Sequence, residues 1–340
     1  MEIYQKVIKP RQSNMELLRI MAMFLVLIVH SDYLSLGEPT RLELISAPEA
    51  TLTRIFIEAF SLICVNLFVF ISGWFGIKPR RHKFVDLLFQ VFYYLTIAFI
   101  IAMLTGQVNK DWPSLKEIFV LGNWFIPAYL MLFLLAPAFN DFVENTGRKR
   151  LRTILIVFFA VQTLCGWLGK ANFFASGYSV ISFTGIYLLA RYIRKYDIGD
   201  NYSPSKLSAI FAGCVFINTG LGFINVYCGI YFLSMSPYLN PFTIVATVSL
   251  ALLFTKFSFQ SSVVNFLAQS AFSVYLLHIN FNLIDLFMQI NQDIFHYYNG
   301  IEVIVLIFFM CCCWFLAAVI LDQPRKWIWR NIQNRRRGIR

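Results

Sequence analysis

The sequence predicts an all-α integral membrane protein, a bundle of about ten transmembrane helices with both termini cytoplasmic. Three observations predict it. Hydrophobic residues make up 58% of the 340-residue chain and charged residues only 14%, at a mean hydropathy of +0.64, whereas a soluble globule carries about a quarter charged residues. The 36 Phe, 16 Tyr and 7 Trp exceed what a soluble surface-to-volume ratio can hide, and the chain is far too apolar for disorder. Finally, long apolar runs alternate with short basic segments.

About 20 predominantly apolar residues cross a bilayer, and ten runs qualify. Run 15–34 follows Lys6, Lys9 and Arg11; it is too long for a cleavable leader and no small-x-small site follows it. Run 58–76 stops before Lys78, Arg80, Arg81 and Lys83, and 84–105 starts after them. Run 122–140 ends ahead of Arg148, Lys149, Arg150 and Arg152, which precede the body of 151–169. Run 177–193 is the shortest and leads into Arg194 and Lys195; 206–227 is diluted by Asn and Gly. Runs 237–257, 265–288 and 300–321 complete the set, and 322–340 is a basic cytoplasmic tail. All of 1–340 reads as one polytopic domain, without an internal repeat or a low-complexity tract.

With the N-terminus inside, alternate segments hold 24 of the 29 Lys and Arg, against five (Arg41, Arg54, Lys110, Lys116, Lys170) in the outer loops. That is the bias expected of cytoplasmic loops. The net charge of +11 therefore calls for membrane lipid and not nucleic acid as its partner, and the arginine tail is a juxtamembrane anchor. The seven cysteines lie in apolar stretches without metal-ligand spacing, so no metal site is expected.

Four ionisable groups fall at membrane depth, where such groups are costly and mark function by default: Arg19, His30, His278 and Asp285. Eleven residues separate Arg19 from His30, which at about 100° per residue leaves them roughly 20° apart on one stripe and about 16 Å apart along the axis. Glu16 can pair with Arg19 on that face. His278 arrives from the ninth run at comparable depth. Asp285, seven residues on, returns to nearly the same face nearer the outer surface, on the acceptor side. Arginine suits phosphate, and imidazole is a general base at neutral pH. A donor with a phosphorylated head, a thin arm and a reactive tip would satisfy both, through an open slot between the two side chains; coenzyme A has that shape, although this geometry alone does not single it out.

The R-x10-H pattern within N-M-E-L-L-R-I-M-A-M-F-L-V-L-I-V-H resembles the first span of the membrane acyltransferase-3 family. V-N-L-F-V-F-I-S-G-W-F (65–75), N-W-F-I-P-A-Y-L-M-L-F-L-L-A-P (123–137), S-V-Y-L-L-H (273–278) and L-D-Q-P-R (321–325) are similar to its later motifs, in family order, across residues 12–330. The resemblance implies an O-acyltransferase of the inner membrane, moving an acyl group, usually acetyl, from cytoplasmic acetyl-coenzyme A to a hydroxyl of an envelope carbohydrate or lipid-linked sugar. It implies no permanently bound cofactor, acyl-coenzyme A being a donor substrate. His30, Arg19 and His278 would be catalytic. Arg19, Arg80, Arg81, Ser72 and Gly73 would bind the donor, and Trp124 would face the acceptor. The small Ser72 and Gly73 suit passage of a thin arm or, equally, close helix packing; Trp124 suits an interfacial belt as well. The family's proline after the second-span basic cluster is missing here. A multispan sugar transporter would also need many spans and midplane polar groups, but related halves are not visible. A polysaccharide polymerase would need a larger outer loop.

Overall fold

A computed structural model describes residues 11–106, 124–280 and 283–336, and every regular element among them is helical. In chain order these are α1 (Ser13–Val29, continued by a π-helical turn, His30–Leu34), α2 (Arg41–Ser46), α3 (Pro48–Ser61), α4 (Cys64–Phe75), α5 (Arg81–Leu104), α6 (Phe125–Asn145) and α7 (Arg148–Val161, continued by a second π-helical stretch, Gln162–Leu168). The chain goes on through α8 (Val180–Lys195), α9 (Pro204–Cys228), α10 (Pro241–Thr255), α11 (Ser262–Ala268), α12 (Ala271–His278), α13 (Ile284–Tyr297) and α14 (Ile301–Arg336). Lys6, Lys9, Lys110, Lys116, Arg337, Arg340, the first residues of run 122–140 and residues 281–282 of the ninth run lie outside the described residues.

Among the described residues, seven helical segments are long and apolar enough to cross a membrane: Ser13–Leu34, Pro48–Phe75, Arg81–Leu104, Phe125–Asn145, Arg148–Leu168, Pro204–Cys228 and Ile301–Arg335. Pro241–Thr255 is apolar but shorter. Boundaries follow local chemistry. Proline opens α3, α9 and α10, where its missing N–H costs nothing, and the side chains of Ser203, Asn240 and Ser261 accept first-turn N–H groups of α9, α10 and α11. Gly229 ends α9 in the left-handed region at φ 67°.

Two expectations need correction. Run 265–288 is not one helix: α11 stops at Ala268, α12 ends at His278, and α13 starts only at Ile284. Past His278, the Asn280 carbonyl accepts from the N–H groups of Leu283 and Ile284, both at 2.8 Å. Run 58–76 is the second half of a longer segment that begins at Pro48, because α3 buries Thr51, Ile55, Glu58 and Ala59 on one side. Within the basic tail expected over 322–340, the described residues are helical. The helix continues through Pro324 to Arg336, its turn at 322–326 held by Asp322, which pairs with Arg325 (2.6 Å) and Lys326 (2.9 Å).

α1 is the central post. Met15, Leu18, Ala22, Met23, Leu25, Val26 and Leu27 are buried around most of its circumference, and it packs against α3, α4, α10, α11, α12 and α14. α4 lies against α8 so closely that a Cβ on Gly73 would meet the Tyr187 carbonyl oxygen at 2.6 Å and the Ala190 methyl at 2.8 Å. Buried amides join α9 to α10, where Asn218 donates to Thr243 at 3.1 Å and Asn240 donates to Asn218 at 2.9 Å, the interhelical glue expected where lipid offers polar groups no alternative. At the end of the bundle where α1 begins and α14 finishes, Arg191 pairs with Glu144 (2.7 Å) and Lys195 donates to the carbonyls of Val143 and Glu144.

Candidate active site

The feature that organises the site is a pair of imidazoles. Nδ1 of His30, on the first π-helical residue after α1, lies 2.8 Å from Nε2 of His278, the last residue of α12. His278 is fully buried, and its Nδ1 lies 2.8 Å from the carbonyl oxygen of Val274. A carbonyl only accepts, so His278 carries its proton on Nδ1. A buried imidazolium without a counter-charge is costly, so His278 is neutral and its Nε2 is an acceptor. His30 must then donate through Nδ1, which leaves its Nε2 with a free lone pair. The chain of bonds thus fixes one tautomer throughout, the one in which His30 can take a proton at Nε2. The π turn, a local widening often found at functional positions, is held by Ser35, whose hydroxyl donates to the His30 carbonyl at 2.7 Å.

Toward the end where α1 begins and α14 finishes, a cavity of about 440 Å3 opens. Arg11, Arg19, Arg325, Lys326 and Arg330 line it against a single carboxylate, Asp86. Its inner wall is formed by Ser72, Gln90, Phe125, Tyr129 and Phe272. Arg19 is held by Glu16 at 2.6 Å, the pairing that the helical spacing predicts. The cavity lining includes Arg19 but neither His30 nor His278. Aromatic contacts connect the cavity wall to the histidine pair: Tyr275 contacts the lining residues Phe125 (5.1 Å between centroids) and Phe272 (6.1 Å), and also His278 (5.9 Å). Gln90 ties this wall to α12 through the Ser273 hydroxyl at 2.8 Å.

The remaining expected site residues separate. Ser72 faces the cavity and meets the Tyr129 hydroxyl at 3.2 Å. Gly73 instead backs onto α8, so its lack of a side chain serves packing. Arg80 and Arg81 are exposed at the start of α5 and do not line the cavity. Trp124 caps α6 in an aromatic cluster, edge-on to Tyr178 at 4.4 Å and near Tyr238 and Phe183. Asp285 is exposed on α13 and does not share a helix with His278, since α12 ends at His278 and α13 starts at Ile284.

Sequence reasoning overlooked the contribution of α14. Asp322 is fully buried and bonded to Arg325, Lys326 and the Ser270 hydroxyl (2.8 Å), while Arg325 also reaches Asp86 at 2.9 Å. The L-D-Q-P-R motif carried the signal, but a basic tail read as a lipid anchor concealed it.

Fold and site define a multi-pass membrane protein with a hydrogen-bonded pair of histidines inside the bundle and a basic cavity. Residues 12–322 match the acyltransferase-3 family, described as an acyltransferase domain, and the chain belongs to that family of membrane acyltransferases. Neither a curated protein nor a solved structure matches the chain.

Proposed function

We propose that the protein is an O-acyltransferase of the inner membrane with ten membrane passes and both termini in the cytoplasm. It transfers an acyl group, acetyl in the simplest case, from acyl-coenzyme A to a hydroxyl of an envelope carbohydrate or lipid-linked sugar. The observation that carries this reading is the contact of His30 with His278 and of His278 with the Val274 carbonyl, because the tautomer argued from it leaves the Nε2 lone pair of His30 as the base.

The donor enters from the cytoplasm. Its phosphates meet Arg19 and the cations of α14, charge-assisted contacts suited to arginine. The pantetheine arm passes Ser72 and Tyr129, and the thioester reaches His30 as the Phe125, Phe272 and Tyr275 rings swing aside. The acceptor hydroxyl oxygen then forms a bond to the thioester carbonyl carbon while its proton passes to Nε2 of His30. His278 stabilises the resulting charge by accepting from Nδ1 more strongly, with its own N–H held on the Val274 carbonyl. Collapse of the tetrahedral intermediate breaks the carbon–sulfur bond, and the thiolate leaves with the proton from His30. Atoms and charge balance without a metal or a redox partner.

The test is release of free coenzyme A and formation of acyl product from labelled acetyl-coenzyme A by protein in lipid nanodiscs. His30→Ala should lower turnover by about 10²–10⁴-fold, the usual contribution of a positioned base. Retained turnover in a folded His30→Ala protein would overturn the assignment.

A further inference from the structure

Four helices that carry neither histidine, α7 to α10, enclose another cavity, of about 390 Å3. Pro241, Ile244, Val248 and Leu252 line it along α10, joined by Phe159 of α7 and Ile210 of α9. Among the described residues its polar lining is limited to Thr163, Tyr202 and Ser249. The packing of α7 on α8 leaves this space: Phe158 rests on Gly185, so the next residue, Phe159, is turned to the groove. Thr163 lines it from the π-helical stretch that continues α7.

The groove has the length and depth of one lipid chain. From Pro241 to Leu252 it follows α10 for eleven residues, roughly 16 Å, which is about half of a hydrocarbon core about 30 Å thick. Its Leu252 end lies one turn before α10 stops at Thr255, and Thr255 shares a cavity with Asn14 near the start of α1. The groove therefore begins near one membrane surface and ends near the bilayer centre. An apolar slot at that depth stays dry, and left empty it forfeits packing along every wall.

Cations stand at the mouth. Lys206 places its ammonium 5.0 Å from the centre of the Tyr202 ring, and Tyr202 lines the groove. Arg152 lies seven residues before Phe159 on α7, which at about 100° per residue returns it to within roughly 20° of the same stripe, about 10 Å nearer the surface. Both residues are exposed. Lys256 donates to the Gly199 and Asp200 carbonyls at 2.9 and 3.4 Å. That turn sits so close to α10 that a Cβ on Gly199 would meet Cδ2 of Leu252 at 2.6 Å. Against these three cations stand Asp197 and Asp200 in the same connection, so the mouth keeps a positive remainder.

We propose that this groove binds an anionic diacyl phospholipid, one acyl chain lying along α10 and the phosphate held between Lys206 and Arg152. Basic pockets between membrane helices take anionic headgroups, and here the chain slot opens directly beneath the cations. A zwitterionic lipid brings a cation of its own to the same place and loses part of that attraction. Seated there, the lipid bridges α7 to α9 and α10. The site is independent of the acyl-transfer reading.

The experiment titrates the full chain, purified in dodecyl maltoside, with dioleoyl phosphatidylglycerol or dioleoyl phosphatidylcholine, and reads retained lipid by native mass spectrometry and stability by thermal midpoint. Phosphatidylglycerol should be retained more tightly and raise the midpoint further, and added salt should narrow the difference. Arg152→Gln and Lys206→Gln, both at exposed positions, should each weaken its binding about fivefold, the scale of one cation beside a membrane surface, and leave phosphatidylcholine unaffected. Val245→Trp, at an exposed position that lines the groove, should fill the slot and abolish saturable binding. Equal retention of the two lipids, unchanged phosphatidylglycerol affinity in both charge variants, or saturable binding that survives Val245→Trp overturns the proposal. Displacement of phosphatidylglycerol by an equimolar polyprenyl phosphate also overturns it, since the groove would then belong to a single-chain carrier.

Discussion

The two polar clusters flanking the His30–His278 pair are built in opposite ways. On the side where α1 begins and α14 finishes, the buried carboxylate Asp322 is enclosed by Arg325, Lys326 and Ser270, and Arg325 also reaches Asp86, so the negative charge is fully answered while cations remain in surplus along the cavity. On the other side, Glu58 and Ser61 leave polar atoms open and a single arginine serves Asp32, Glu43 and the Gly37 carbonyl. A closed ion network is a scaffold, and its positive remainder is suited to an anion. The difference teaches that the bundle is asymmetric about the histidine pair, with a closed ion network and surplus cations on one face and unanswered polar atoms on the other.

The largest effect should come from cutting the element between the two faces. His278→Phe keeps the ring volume but removes the acceptor that orients His30; turnover of acetyl-coenzyme A should fall by about 10²–10⁴-fold while its binding persists. Loss of binding together with turnover would show that His278 shapes a face and does not merely orient the base. Next comes Asp322→Ala, which strands Arg325 and Lys326 around a vanished carboxylate. Removing one partner of a buried ion pair costs about 3–5 kcal/mol, and chemical denaturation in detergent micelles should register it, whereas Glu58→Gln should not. A smaller effect is expected for Arg19→Ala, which removes one of several phosphate contacts. KM for acetyl-coenzyme A should rise about tenfold with kcat little changed; a fall in kcat alone would place Arg19 at the chemistry instead.

The smallest prediction concerns the rim of the open face. Thr40 and Glu43 form a capping box on α2, in which the Thr40 hydroxyl (2.7 Å) and N–H (2.6 Å) both donate to Oε2 of Glu43. Thr40→Ala should cost about 1 kcal/mol, the usual loss of such a cap. The Thr40 hydroxyl bond, followed by the Thr40 N–H and Arg54, holds the Glu43 carboxyl below its ordinary range. A lowered carboxyl stabilises the fold above its unfolded value and loses that contribution as pH falls through the folded one. The Thr40→Ala difference in thermal midpoint should therefore shrink on acidification; a difference independent of pH would remove Glu43 from the argument.

Much of this molecule was legible in one dimension. Spacing alone put Arg19 near Glu16 and His30 at depth, because an unbroken helix fixes phase and rise. The same rule failed at Asp285, since the helix on which the phase was counted ends at His278. Arg80 and Arg81 are exposed at the start of α5 and do not line the cavity; beside Arg11 and Arg19 its cations are Arg325, Lys326 and Arg330, which a helix continued past Pro324 brings back to α1. Gly73 looked like room for a substrate and proved to be room for Tyr187 and Ala190. Glu58 fell at the very start of an apolar run and attracted no attention, as nothing in a sequence says which carboxylates will find partners.

The sequence by itself determined that this chain is a helical membrane protein and that it carries an arginine and a histidine on one stripe, since hydropathy and helical period are properties of consecutive residues. Only the tertiary structure decided which histidine nitrogen is free. That choice depends on a carbonyl one turn before His278 and on a contact between residues 248 positions apart, and no local rule relates groups so distant along the chain.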